Sequence, residues 1–300
     1  MVEQLIAIFC DIDEFCEEYE RYSKEYLLTA SDQKPMKTSM EMSYIMTICV
    51  FFHLSNHRYF KWYYKDFICS DPRVSGFFGK LPSYNRFVEI MQTVTVPLTL
   101  YLMKGCLGKC SGKSFLDSTT LDVCDVRRAY SHKVFAGIAK KGKTSTGWFF
   151  GFKLHIAIND CGEIIAFCLT PGNVDDRDWT VISKLTREMF GKVFADRGYI
   201  SADLFAKLYA NDIQLITKLK KNMKNKLMNI YDKIMLRKRA IIECVNDFLK
   251  NVCQIEHSRH RSVTNFLVNV ISGLIAYSFI PYSFIPKKPS LDFDVTALLT

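Results

Sequence analysis

Two acidic residues sit where an isolated charge would be penalised. Asp117 lies within the alternating stretch "SFLDSTTLDV" (114–123), and Asp196 closes the apolar run of "GKVFADRGY" (191–199). An unpaired carboxylate buried in such surroundings costs several kcal/mol. Two carboxylates a few Å apart would repel by about 4 kcal/mol at an effective dielectric near 20. Divalent cations relieve that repulsion, and hard oxygen donors select Mg²⁺, with Mn²⁺ able to substitute. A third acid, Glu243, lies in "RKRAIIECVNDFLKN" (237–251), in the most basic part of the chain. On a helix turning about 100° per residue, Ile241, Ile242, Val245, Phe248, Leu249 and Val252 fill an arc roughly 120° wide. Arg239, Glu243 and Lys250 fall within about 40° of one another on the opposite side. One reading is a surface Arg–Glu pair contributing about 0.3–0.5 kcal/mol. The other makes Glu243 the third ligand of a two-ion site, with Arg239 and Lys250 as phosphate contacts. Two ions about 3.5–4 Å apart can activate an attacking oxygen and stabilise a leaving one at phosphorus. Other acids have weaker claims: Asp122 and Asp125 lie further along or past the first strand, and Asp160 belongs to a turn. Asp175, Asp176 and Asp178 read as charges at a helix N-terminus, favoured by its dipole.

These side chains need a scaffold that brings them to one edge. Residues 1–110 read as helical: "MSYIMTICVFFHLS" (42–55) is apolar nearly all round, and Ser83 caps the periodic segment "LPSYNRFVEIMQTV" (81–94). In "NHRYFKWYYKDF" (56–67) aromatics alternate with bases, which suits either a helix-turn-helix DNA-binding unit or a bundle with its aromatics turned inward. From 113 the period changes to two. "GWFFGFKLHIAIN" (147–159) and "EIIAFCLTP" (163–171) are strands joined by the turn "NDCG". A helix (175–190), the Asp196 strand, a helix capped by Ser201, a fifth strand (213–219) and the Glu243 helix follow. The order predicts an antiparallel region continued by parallel β-α units, with helices on both faces of a mixed sheet. In such a sheet, side chains at the ends of central strands converge on one edge.

Composition narrows the partners. The net charge of +9 is uneven: residues 1–34 hold nine acids and three bases, whereas 218–261 hold twelve bases and four acids, and 127–143 six bases and no acid. Localised positive charge of this kind is the footprint of a polyphosphate partner. Eleven cysteines, an odd number, with no signal peptide at the start point to reduced thiols in a cytoplasmic protein. The spacings of Cys106, Cys110, His53 and His57 do not match a zinc set. "FLVNVISGLIAYSFIPYSFIP" (266–286) approaches membrane-span length, but Asn269 and two prolines interrupt it, so a buried C-terminal helix is expected and no membrane partner. Residues 277–286 are "YSFIP" twice in tandem.

Long motifs carry a family resemblance. "FLDSTTLDVC", "HKVFAGIAKKGKTSTGWFFGFKLHIAIN", "LTPGNVDDRD", "GKVFADRGYIS" and "RKRAIIECVNDFLKNVCQIEHSRHRSVTNFLVNVISGLIAY", with "HLSNHRYFKWYY" and "SYNRF" nearer the start, resemble the DDE transposases of bacterial insertion sequences, specifically the 982 family. The resemblance implies an α/β, ribonuclease H-like core with a mixed five-stranded sheet and flanking helices (113–290). An all-helical N-terminal domain for DNA-end binding (1–112) would precede it and a tail (291–300) follow. It implies metal-dependent strand cleavage and strand transfer by two Mg²⁺ ions on Asp117, Asp196 and Glu243. The partners implied are double-stranded DNA, as element ends and target, and a second copy in a homodimer on that DNA; the setting is the bacterial nucleoid. Related families show tyrosine, arginine, glutamate and lysine on the glutamate helix. Arg239, Glu243 and Lys250 match, whereas Leu236 stands at the tyrosine position. No room exists for a large β-rich insertion between the fifth strand and this helix, and the duplication and tail depart from the usual ending. Two other functions share these features: a nuclease of the same fold that cuts without rejoining, and a non-catalytic DNA-binding derivative of a transposase.

Overall fold

The computed structural model describes residues 1–26, 40–145, 147–218, 228–256 and 260–280. Its centre is a six-stranded mixed sheet made of β1 (Lys113–Cys124), β2 (Lys140–Thr144), β3 (Gly147–Asn159), β4 (Ile164–Pro171), β5 (Gly191–Ala195) and β6 (Ile213–Thr217). The order is β2-β3-β1-β5-β6, with β4 also pairing β3. β3 runs antiparallel to β1, β2 and β4, whereas β5 runs parallel to both β1 and β6. Five strands match the sequence expectation. The short β2, unforeseen because "KKGKT" lacks apolar alternation, pairs with the first residues of β3, Gly147–Gly151, and β4 pairs with the rest.

Local chemistry sets the joints. In the β3–β4 turn the Asn159 Oδ1 accepts from the amides of Cys161 and Glu163, both at 3.0 Å, and Gly162 takes a φ of 93°. Ser83 and Ser201 cap their helices as expected, accepting from the amides of Arg86 and Leu204.

Helices cover both faces. On one, Trp179–Leu185 and Ala202–Tyr209 pack against Leu116, Ala157, Val193 and Ala195. On the other, Phe115, Leu121, Val123 and Phe194 join a larger core with Ile242, Val245 and Leu249 and with the helix Val263–Ser278. The same core takes in Leu5, Ile8 and Ile12 of Val2–Tyr26 and the buried residues of Met42–Phe52, so the N-terminal helices close onto the sheet through the last helix. Within "NHRYFKWYYKDF", Tyr63 and Tyr64 turn inward, while Tyr59 and Trp62 remain exposed. The expected C-terminal helix is present as Val263–Ser278; among the described residues no helix is long and apolar enough to cross a membrane. All of the second "YSFIP" copy and the tail lie outside the described residues, as do Lys220, Lys221, Lys224 and Lys226.

Candidate active site

Register places the first two acids together. β1 and β5 pair in parallel only over Lys113–Phe115, with Phe115 opposite Phe194. Two residues beyond that last paired position come the acids: Asp117 within β1 and Asp196 just past the end of β5. Asp117 shares the parity of Phe115 and points to the face covered by the Glu243 helix, where Asn246 and Arg239 meet it. β5 ends at Ala195, and Asp196 caps a single turn, its Oδ1 accepting from the Gly198 amide at 2.7 Å. A Cβ on Gly198 would lie 2.9 Å from that oxygen, so the glycine leaves the carboxylate its place.

The third acid arrives on an interrupted helix. In place of one regular helix over 237–251, Ile230–Lys238 ends at Arg239, Ala240–Asp247 begins after it, and Phe248–Val252 is a π-helical turn. The extra residue in that turn corrects the expected apolar arc: Val252 is 39% exposed and Cys253 is fully buried in its stead. Arg239 gives one guanidinium nitrogen, Nη2, to Glu243 Oε1 at 2.5 Å, and its Nη1 lies 3.7 Å from Asp117 Oδ2. With its side chain only 15% exposed, Arg239 is no surface residue; it bridges two of the three acids. Lys250 does not stack on the ridge. The π turn re-aims its Nζ to Glu256 Oε2 at 2.9 Å and Thr120 Oγ1 at 3.3 Å.

The acids interact electrostatically. Burial pushes the Asp117 carboxyl up to about 6, Asp196 and Glu243 push the same way, and Arg239 and the Ser118 amide oppose them. Three carboxylates offer hard oxygen donors that suit a divalent cation in kind. In this arrangement Arg239 supplies the positive charge, and among the described residues no three His, Cys, Asp or Glu side chains stand close enough to ligate one ion.

Sequence reasoning missed three neighbours. Asn246 donates to Asp117 Oδ2 at 3.2 Å. It lies seven residues after Arg239, hence about 20° from it on a helical projection, and that spacing could have found it. Glu256 accepts both Lys250 and the Asp122 amide, through a chain reversal at Gln254 (φ 49°) that no periodicity announces. Asp176 does not share the role expected of its neighbours. Asp178 caps the helix by accepting from the Thr180 amide, and Asp175 holds Arg177, but Asp176 turns inward to Lys153 and Ser118. Asp125 and Asp160 are engaged elsewhere, with Arg127 and with Ser111 and Lys113.

Comparison with known proteins gives one family match: the family described as "Transposase DDE domain" aligns with residues 107–263, which contain all three acids, Arg239 and Lys250. No curated protein matches the chain. Two solved structures are similar at low identity. The piggyBac transposase synaptic complex with hairpin DNA shares 10% identity over 92% of this chain and 72% of that one, with a TM-score of 0.47. The Mos1 strand transfer complex shares 11% over 87% and 84%, with a TM-score of 0.21.

Proposed function

The chain belongs to the transposase DDE domain family, and from that membership we propose that it is an insertion-sequence transposase of the 982 type with a ribonuclease H-like core, cutting DNA at its element's ends and joining the cut ends to a target. The reading is supported by register and by one bridging side chain: Asp117 on β1 and Asp196 just past the end of β5 each lie two residues beyond the Phe115–Phe194 pair, and Arg239 contacts both Asp117 and Glu243. These three residues would hold two Mg²⁺ ions, with Mn²⁺ as a substitute, and the ions when bound supply the charge stabilisation that a reaction at phosphorus demands.

The chain's own side chains do the rest. Asn246 fixes one oxygen of Asp117, and the Gly198 amide fixes one of Asp196, so each carboxylate keeps its other oxygen for the site. Arg239 presents a planar two-pronged donor suited to a phosphate once its carboxylates are otherwise engaged. Lys250 holds its ammonium beside β1 through Glu256, and a phosphate reaching Lys250 must compete with that carboxylate. The exposed bases of 127–143 and the N-terminal helices (1–112) would grip double-stranded DNA, and a second copy would complete a dimer on it. The test is incubation of the chain with DNA bearing its own element ends, and a target duplex, in Mg²⁺. Nicking at the element boundary followed by joined product, both lost with a chelator, supports the transposase. Nicking without joining would favour the nuclease, and binding without either would favour the non-catalytic DNA-binding derivative.

A further inference from the structure

Behind Asp117, on the opposite face of the sheet, lies a partly buried polar cluster that the triad does not use; the Asp176 side chain at its centre is 32% exposed. Ser118, the residue after Asp117, donates from Oγ to Asp176 Oδ1 at 2.9 Å. Lys153 on β3 donates from Nζ to the same oxygen at 3.0 Å and to the Val174 carbonyl at 2.9 Å. His155, opposite Ser118 in the strand register, donates or accepts through Nε2 with Thr170 Oγ1 at 2.9 Å, and its Nδ1 faces Asp176 Oδ1 at 3.8 Å. The His155 side chain is fully buried, that of Lys153 is 11% exposed, and burial keeps the imidazole neutral. The buried Tyr199, three residues after Asp196, brings its hydroxyl beside Ser118 and within electrostatic reach of Asp117, Asp176 and Asp196. One carboxylate thus ties the loop after β4 to β1 and β3 at the level of the first catalytic acid.

We infer that Asp176 is a positioning residue, one that sets the direction of the Asp117 carboxylate through Ser118. The link is short. Ser118 adjoins Asp117 on β1 and its hydroxyl is held by Asp176, so this contact pins the strand backbone from which the Asp117 carboxylate projects on the other face. Lys153, fixed by two acceptors, keeps Asp176 itself from turning away. The acid needs no contact with DNA or metal: it determines whether Asp117 meets an ion with the correct oxygen. Partners of this kind typically alter metal affinity or activity by 10–100-fold when removed. The inference rests on the proposed metal-dependent activity.

The test is the Mg²⁺ concentration giving half-maximal cleavage of end DNA, alongside Mn²⁺ binding to the DNA-free protein followed by electron paramagnetic resonance. Asp176→Asn keeps an acceptor for Ser118 but leaves Lys153 without its counter-charge, so Ser118→Ala is run beside it, because it keeps the ion pair and breaks only the link to β1. We expect both to raise the Mg²⁺ requirement and weaken Mn²⁺ binding by about ten-fold or more, with end-DNA affinity within two-fold of wild type. The double variant should be no worse than the more affected single one, since both cut the same link. Asp176→Glu should recover part of the loss. Unchanged Mg²⁺ requirement and Mn²⁺ binding in a folded Ser118→Ala protein would overturn the inference alone. A wild-type chain that neither cleaves nor binds Mn²⁺ would overturn the reading beneath it as well.

Discussion

Asp117 is held in a place that suits chemistry better than stability. Its carboxyl titrates near 6 where an aspartate ordinarily titrates near 3.8, mainly because it is buried, with Asp196 and Glu243 adding to the effect. A group whose pKa rises on folding binds its proton more tightly folded than unfolded. Its unfavourable contribution therefore appears as pH climbs from about 3.8 to about 6 and persists above that. Asp117→Asn should accordingly raise stability at pH 7 by on the order of 2 kcal/mol, measured by urea unfolding, while abolishing cleavage; the stability gain should vanish at pH 4. A destabilised Asp117→Asn chain at pH 7 would show that the carboxylate is not strained there. Arg239 invites a second substitution. Arg239→Lys keeps the charge but loses the planar fork that now spans Asp117 and Glu243. Cleavage should drop at least ten-fold with end binding retained, and a fully active lysine variant would return Arg239 to the role of a simple counter-charge.

At the scale of elements, two small departures from regularity aim the site. The turn after β5 depends on Gly198, where a methyl group would meet only the end of the Asp196 side chain. Gly198→Ala should therefore lower cleavage markedly while shifting stability by less than about 1 kcal/mol. Equal losses of stability and activity would mean that the glycine serves the fold alone. The π turn at Phe248–Val252 is the other device, and it explains what the sequence could not disclose. Five strands, their order and the helix capped by Ser201 were legible because apolar period and capping residues report local preference. That Asp196 closes its strand was legible from the apolar run before it, whereas Asp117 lies inside the long β1, and its level with Asp196 comes from the β1–β5 register. The destination of Lys250 did not, because a one-residue insertion into a helix leaves no mark in the apolar pattern until Val252 and Cys253 exchange places. Asp176 escaped notice for a related reason. In "NVDDRD" three acids look alike, and only the fold separates the cap, the surface pair and the inward carboxylate.

Across the whole molecule, positive charge is concentrated in two stretches, 127–143 and 218–261. Arg128, Lys133, Lys140 and Lys143 are exposed within residues 127–143, a stretch whose sequence contains no acid. Each phosphate they contact should contribute about 0.9 to the slope of log affinity against log salt. Replacing all four by glutamine should flatten that slope and weaken binding for any duplex sequence alike; an unchanged slope would make this surface a solvated face. A single core joins the N-terminal helices to the sheet through the last helix.

The central claim is that Asp117, Asp196 and Glu243 hold divalent metal together, and ligand softness tests it most directly. Each acid is replaced in turn by cysteine, and cleavage of end DNA is compared in Mg²⁺ and in Mn²⁺. A thiolate is a poor ligand for Mg²⁺ and a better one for Mn²⁺. The account predicts that all three variants bind end DNA, fail in Mg²⁺, and regain measurable cleavage in Mn²⁺. Near-wild-type cleavage in Mg²⁺ by any of the three, or no recovery in Mn²⁺ by any of them despite intact DNA binding, would contradict it.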